Sequence, residues 1–436
     1  MADEYFVGMR ATDDVVTSER PESWRDGIIR IFPNGMAPLT ALTALMKTEK
    51  VTDPHYHWWD KTLTTQKAVV VEDECYDDAT LITGYGDDGT AGDVVYFRIA
   101  DADQTKMFRV GQQILMRDAS DYTVDCIGKC VLSQANGINS IIGVKLLEAD
   151  DNGAANLHYL SDVDTLLIVG NINPMGGTRP TAITQSPTER ENYTQIFRNS
   201  LDLSRTLLET KLRTANAYTE AKKDALEQHS IELEKAFLWG IATTGTGANG
   251  KPEYTTEGII RSIKSNGTVE DFTLDAGVDY AGETWLQAGE QWLDEHFEEI
   301  FRYGGTERLA FCGSGAILGI QRLVKNLGMF NLTTKTMAYG IKVLEWISPF
   351  GTVYFKTHPL FSYEATNRNS MVILEPKNIS YRYVTDTEFQ ADASYGKGGG
   401  TGKDGKEEEY LTECGLEYHL PLTGGYLNGL NTTNTA

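Results

Sequence analysis

An α+β fold with a smaller all-β module set into its first half is predicted by three features of this sequence. The stretch Arg205–Trp239 has helical spacing of apolar residues and contains neither Gly nor Pro. Between about residues 84 and 172 short β-rich runs are separated by Gly, Asp and Asn, without helical periodicity. Beyond Gly240 amphipathic helical segments mix with strand-like runs up to the C-terminal region.

Composition sets the bounds within which these elements are read. A chain of 436 residues, 41% hydrophobic and 23% charged, reads as soluble and globular, with room for two or three cores. No run of about 18 apolar residues is present, so no membrane-spanning helix is expected. The start MADEYFVGMRATDD lacks a basic region followed by an apolar one, the pattern of a signal peptide. The product is therefore expected inside the producing cell unless released in an assembled form. A net charge of −23 argues against a tightly gripped nucleic acid, because phosphates need basic clusters. It suits a protein that stays soluble when crowded, or lies beside DNA without adhering. The five cysteines, Cys75, Cys126, Cys130, Cys312 and Cys414, are odd in number and scattered, as expected of free thiols in a reducing compartment.

Taken in order, residues 1–60 read as an arm rich in turn signals (Pro21, Gly27, Pro33-Asn34-Gly35, Pro38), with one helical candidate at 39–50. HYHWWDKTL follows, then KAVVVEDE at 67–74, a strand entering an extended region. VVYFRI, FRVGQQILMR, YTVDCIGKCVL, SIIGVKLL and DTLLIVG are the strands of a small barrel or sandwich. YTQIFRNSLDLS alternates like a strand and feeds the long helix, for which Ser204 is the N-cap and Gly240 the stop. Ala215, Tyr218, Ala225, Leu226, His229, Leu233, Ala236 and Phe237 share one arc of that helix, and Glu220, Lys223, Glu227 and Glu234 the other. Lys222 falls inside the apolar arc and needs a partner or a route to solvent. An unbroken rod would run roughly 50 Å at about 1.5 Å per residue. TTGTGANGKPEYTTEG is then a loose loop, and residues 282–304 an amphipathic helix. RLAFCGS is a strand, AILGIQRLVKNL a helix, and KVLEWISPFGTVYFKTHPLF and SMVILEP are strands. The glycine- and charge-rich stretch 395–409 reads as a mobile loop before the last strands in LTECGLEYHLPLTGGYLNGL.

Several motifs invite a chemical reading, and the residues around them argue against it. Gly245 to Lys251 satisfies G-x-x-x-x-G-K, but a helix precedes it and Pro252 stands where a phosphate loop needs Ser or Thr. Gly84, Gly86 and Gly89 match G-x-G-x-x-G, yet Asp87 and Asp88 occupy the place of a pyrophosphate and no βαβ context follows. His55 and His57 point the same way on a strand with Asp60 nearby, a thin metal half-site because no second cluster at ligand spacing exists among seven histidines. A structural role beside Trp58 and Trp59 is the expected one. Cys126 and Cys130 lack the second pair that zinc requires. Cys312-Gly-Ser-Gly315 lies between a strand and a helix without the pattern of a nucleophile elbow. Glu72, Asp73, Glu74, Asp77 and Asp78 read as a solvated face rather than a calcium loop. No catalytic, cofactor-binding or metal residues are assigned, and no cofactor is expected.

The order of these parts resembles the major capsid proteins of tailed phages with the Hong Kong 97-type (Johnson) fold. It is similar to a subfamily whose extended loop carries an inserted β module. The strings that carry the likeness are APLTALTALMKTEKVTDPHYHWWDKTL, FRVGQQILMR, ENYTQIFRNSLDLSRTL, IELEKAFLWG, TEGIIRSI and CGLEYHLPLTGGYLNGL, which cover most of the chain in order. The resemblance implies an N-terminal arm at 1–60, an extended loop at 61–85 and 172–203, and the inserted β domain at 86–171. It implies a peripheral domain with a spine helix at 204–250, an axial domain at 255–375, and returning strands with a tail at 376–436. It implies no active site. Its partners would be copies of itself in hexamers and pentamers, a portal, separate scaffolding or decoration proteins, and packaged DNA touched non-specifically. It implies a place in the virion, assembly in the host bacterial cytoplasm, and no membrane. The inserted module would decorate the outer surface or brace neighbours. Competing expectations are an encapsulin-like compartment of the same fold, a nucleotide-binding enzyme using 245–251, and another virion component such as a tail protein.

Overall fold

The computed structural model describes residues 47–63, 66–86, 89–118, 125–149, 160–210, 216–280, 282–326, 333–336, 342–392 and 404–430. They fall into two compact units, Met1–Asp60 with Thr188–Ala436, and Lys61–Pro187. The first unit begins with strands β1 (Thr48–Lys50) and β2 (His55–Asp60). A helix was expected at 39–50. Its first part lies outside the described residues, while Thr48–Lys50 is extended and pairs in parallel with a strand near residue 381.

The second unit is a closed all-β barrel. Its staves are β3 (Lys67–Tyr76), β4 (Val94–Ile99), β5 (Gln112–Arg117), β6 (Asp125–Gln134), β7 (Ser140–Leu146) and β8 (Thr165–Asn171), with the short helix α1 (Ala102–Thr105) after β4. They close in the order β3-β4-β7-β6-β5-β8, each pair antiparallel. Period-two alternation produces this: Val95, Phe97 and Ile99 point inward on β4, and Ile114 and Met116 on β5. Ala68 and Val70 do the same on β3, so the run at 67–74 is a barrel stave, where it was expected to be an arm of the extended loop. Gly128 on β6 is buried against β7. A Cβ there would sit 2.2 Å from Val144 Cγ1, so the strand can approach only without a side chain.

Back in the first unit come β9 (Thr188–Tyr193) and β10 (Gln195–Ser204). The rod expected over Arg205–Trp239 is not continuous. It divides into α2 (Arg205–Glu209) and α3 (Ala217–Trp239), which at about 1.5 Å per residue is roughly 35 Å long. Ser204 caps α2 by accepting from the Leu207 amide, as expected, but Thr210 turns to extended geometry and ends the helix. Asn216 then starts α3 by accepting from the Tyr218 amide at 2.9 Å. Asn and Thr compete for backbone groups in this way, so Asn216 was a readable start signal inside the stretch. Gly240 ends α3 as expected. The buried face holds Ala225, His229, Leu233 and Phe237, but Leu226 is exposed and Glu234, expected on the solvent side, is buried. Lys222 lies over the Phe389 ring, 3.4 Å from its centroid, which supplies the partner it needed.

The segment after Gly240 is a hairpin of β11 (Thr243–Thr246) and β12 (Pro252–Thr255), where a loose loop was expected. Next come α4 (Ile259–Asn266), β13 (Thr268–Asp271), α5 (Phe272–Val278), α6 (Trp285–Phe301), β14 (Glu307–Cys312) and α7 (Ser314–Asn326). The remaining elements are β15 (Thr333–Thr336), β16 (Lys342–Ile347), β17 (Thr352–Thr357), α8 (Pro359–Tyr363), β18 (Met371–Leu374), β19 (Ile379–Gln390), β20 (Gly405–Tyr418) and β21 (Gly425–Asn428). Of the glycine-rich stretch 395–409, residues 395–403 lie outside the described residues. Gly405–Glu409 belongs to β20, where every residue pairs with β10.

Two sheets organise this unit. One has the order β1-β19-β20-β10, the other β13-β21-β18-β14-β17-β16-β15. The larger sheet is covered on both faces, as its uniformly apolar central strands require. On β14, Leu309 and Phe311 join one core with Phe237 of α3 and Ile259 and Ile263 of α4. Ala310 and Cys312 join the other, with Phe272, Trp285, Trp292 and Phe297. The last segment, expected as strands returning to one domain, divides between the sheets. β19 and β20 join the smaller one and β21 the larger, where Leu427 enters the second core.

Candidate functional site

Strands β2 and β9 form a two-stranded antiparallel ribbon, and its two faces do different things. Asp60 was grouped with His55 and His57, but residues of opposite parity on a strand face opposite ways. Tyr56, Trp58 and Asp60 are buried, while the histidines stand on the outer face with Trp59, which is 60% exposed.

Asp60 opens a charged network on the inner face. It meets Arg190 Nε at 3.0 Å and His419 Nδ1 at 2.9 Å, and accepts from the Leu420 amide at 3.0 Å. His419 Nε2 reaches Glu417, which binds Arg382, and Arg382 meets Glu49 at 2.6 Å. β1, β2, β9, β19 and β20 are all tied by these contacts. The hydrogen bond to Glu417 raises the His419 pKa, burial opposes it, and the contact with Asp60 adds to the rise. Burial tends to raise Glu417, but His419 and Arg382 hold it below its ordinary value.

The sign of the pH effect follows. A histidine whose folded pKa lies above its unfolded value stabilises most fully below about pH 6.5, and that contribution fades as pH rises through the folded pKa. Thermal melting of the unassembled chain should fall between about pH 6 and 8, and His419→Asn should flatten that slope. A slope unchanged in the variant would remove His419 as its origin.

Helix α3 is fastened by two further buried groups. His229 lies 2.6 Å from Asn199 Oδ1 on β10 and 2.7 Å from Thr412 Oγ1 on β20. Glu234 Oε1 is 2.8 Å from His358 Nε2, with both side chains almost fully enclosed. His358 Nδ1 accepts from the Leu360 amide, so Nε2 carries the proton and donates to Glu234. Arg308 is a further enclosed group, and a cation. Its guanidinium donates to the carbonyls of Tyr303, Gly305 and Thr423 and sits 3.3 Å from Glu375.

The other sequence motifs take structural places. Gly245–Lys251 closes the β11–β12 hairpin, with the Gly247 amide bonded to Lys251 O and the Gly250 amide to Gly247 O. Those amides are turned into the hairpin and not toward a phosphate. In 84–89, Asp87 and Asp88 lie outside the described residues, and the Gly89 amide donates to Tyr85 Oη at 2.9 Å. Cys126 and Cys130 point into the barrel core, and burial pushes the Cys130 thiol up to about 11. Cys312 is enclosed in the second core, where burial pushes its pKa far above the thiol range. Asp78 accepts from the amides of Thr80 and Thr83, which makes it the anchor of a turn. The side chains of 72–74 lie outside the described residues.

The first unit also offers docking features of another kind. β10 is an outer strand of the smaller sheet and leaves Ile196 58% exposed. Leu274 and Val278 on α5 and Ile347 on β16 are exposed by more than 70%. Sheet edges and apolar residues left open in a single chain are where copies of a subunit can be expected to meet.

Comparison with known proteins gives these surfaces a context. The chain matches the SU10 major capsid protein family over residues 8–431. It is 25% identical to a major capsid protein of Pseudomonas phage PaMx41 across 407 residues, 93% of this chain and 87% of that protein. Solved structures that align with it include Mycobacterium phage Cain, at 7% identity and a TM-score of 0.43, covering 97% of this chain and 98% of that one. The capsid of a native GTA particle aligns at 8% identity and a TM-score of 0.42, covering 94% and 96%. The holo-SrpI encapsulin complex of Synechococcus elongatus PCC 7942 aligns at 11% identity and 0.39, covering 58% and 79%. The sequence match alone decides the class: this is a structural protein of a phage head. The chain belongs to the SU10 major capsid protein family.

Proposed function

We propose that this chain is the subunit of an icosahedral shell with the Hong Kong 97-type arrangement, built from hexamers and pentamers and enclosing double-stranded DNA. The family match along nearly the whole chain is the observation that carries this reading. The fold supports it: a helix of roughly 35 Å lies on a small sheet, and a separate sheet is packed between two cores. In this reading α3 is the spine helix. The smaller sheet belongs to the peripheral domain, the larger sheet to the axial domain, and Lys61–Pro187 is the extended loop elaborated into a barrel. Many modest contacts repeated by symmetry hold such a shell, so open edges in one copy become interfaces in the assembly. The charge of −23 keeps wall and genome from adhering. Assembly would occur in the host bacterial cytoplasm beside a portal, and with scaffolding or decoration proteins where the phage supplies them.

Electron microscopy of particles from infected cells tests the proposal. Closed shells containing this chain and nuclease-protected DNA are expected. Tubes, or closed shells holding a protein cargo and no DNA, would overturn it.

A further inference from the structure

The outer face of the β2–β9 ribbon carries side chains that the shell reading leaves without a task. In register, His55 lies opposite Tyr193, His57 opposite Glu191, and Trp59 opposite Glu189. Glu191 Oε2 is 3.0 Å from His55 Nε2 and 3.9 Å from His57 Nδ1. Glu189 Oε1 is 3.0 Å from His57 Nδ1. The ligand atoms of His55, His57 and Glu191 all lie within 4.8 Å of one another.

We propose that His55, His57 and Glu191 bind one zinc-class divalent ion, with Glu189 beside the fourth position. A tetrahedral ion with bonds of about 2.0–2.1 Å holds its ligand atoms roughly 3.3–3.4 Å apart. The two distances from Glu191 to the imidazoles, 3.0 and 3.9 Å, bracket that edge, so small side-chain rotations admit the metal. Two imidazole nitrogens and a carboxylate are a borderline-soft donor set, which selects zinc over magnesium or calcium. The histidines alternate along one strand, so both project from the same face without any turn of the backbone. His55 is also held from behind, since its ring stacks on Tyr193 at 4.5 Å and Tyr193 stacks on Tyr254 at 5.5 Å. Such support orients a ligand before the ion arrives.

A second His–carboxylate group, Glu270, His296 and Glu299, carries a single imidazole and serves as the comparison. The ribbon has a further property that gives an ion consequence. The chain leaves the first unit directly after β2, at Asp60, and re-enters it at Thr188, the first residue of β9. Ligands from both strands mean that the ion staples the outgoing and returning chain together at that point.

The test uses the untagged full-length chain, stripped with chelator and titrated with zinc against a chromophoric competitor. One zinc per chain is expected. Cobalt substituted at the same site should show the visible absorption of a tetrahedral ion. Loss of a supporting partner already costs about 10–100-fold in metal affinity, so His57→Ala and Glu191→Gln should each weaken binding at least ~10-fold. His296→Ala should leave the affinity unchanged. Saturating zinc should raise the melting temperature of the parent chain and leave that of His57→Ala where it was. Glu191→Gln preserves shape and therefore reports on binding even where the histidine variant folds poorly. Absence of stoichiometric binding, binding that survives both ribbon variants, or binding that is lost in His296→Ala would each overturn the proposal.

Discussion

Replacing His358 by alanine is expected to lower the unfolding free energy of the unassembled chain by ~3–5 kcal/mol. His358 and Glu234 are 2.8 Å apart and shielded from water, so the imidazole is the group that lets a carboxylate remain on the inner side of α3. Removing it leaves that carboxylate enclosed and without this donor, and also deletes the cap that accepts from the Leu360 amide. Glu234→Ala should cost less, because a neutral imidazole is cheaper to strand than a carboxylate. The double variant should fall well short of the sum of the two. Denaturant titration of all three variants checks this. Equal single costs that simply add would mean that the pair does not act as a unit.

Trp292→Ala is expected to cost a similar ~3–5 kcal/mol, for a different reason. Trp292 is fully enclosed between the larger sheet and α5, with Phe272 edge-on at 5.6 Å and Trp285 at 6.1 Å. Its indole N–H donates to Asp275 Oδ2 at 2.8 Å, so truncation opens a cavity and also removes that carboxylate's indole donor. Trp59→Ala is the control. That ring is 60% exposed, and its loss should change stability by no more than about 0.5 kcal/mol. If the two variants unfold at the same denaturant concentration, the second core is not where this unit's stability lies.

Strand alternation and helical spacing were legible because they are local. Barrel strands β4 to β8, the helices at 285–301 and 314–326, the Ser204 cap and the Gly240 stop all lie where the residues placed them. The misreadings share a cause. Arg205–Trp239 read as one rod because a broad apolar arc outweighed Asn216, whose side chain starts a new helix by taking a backbone amide. Gly245–Lys251 read as a loose loop because the pairing that makes it a hairpin spans residues on both sides of the turn. The glycine-rich stretch before β20 concealed a strand that exists through its pairing with β10, about two hundred residues earlier in the chain.

Composition and pattern by themselves determined the α+β class, an all-β module in the first half, the acidic charge and the family resemblance, since each is carried by neighbouring residues or by their order; the module's closure into a barrel came from the structure. Only the tertiary structure decided which charges are enclosed and what they meet. Glu234 finds His358, Asp60 turns from the two histidines to Arg190 and His419, and Glu191 arrives beside His55 from the returning strand. The physical reason is that a charged side chain is tolerated inside only where a partner is brought to it, and the histidines that meet Glu234 and Asp60 lie 124 and 359 residues away in the chain.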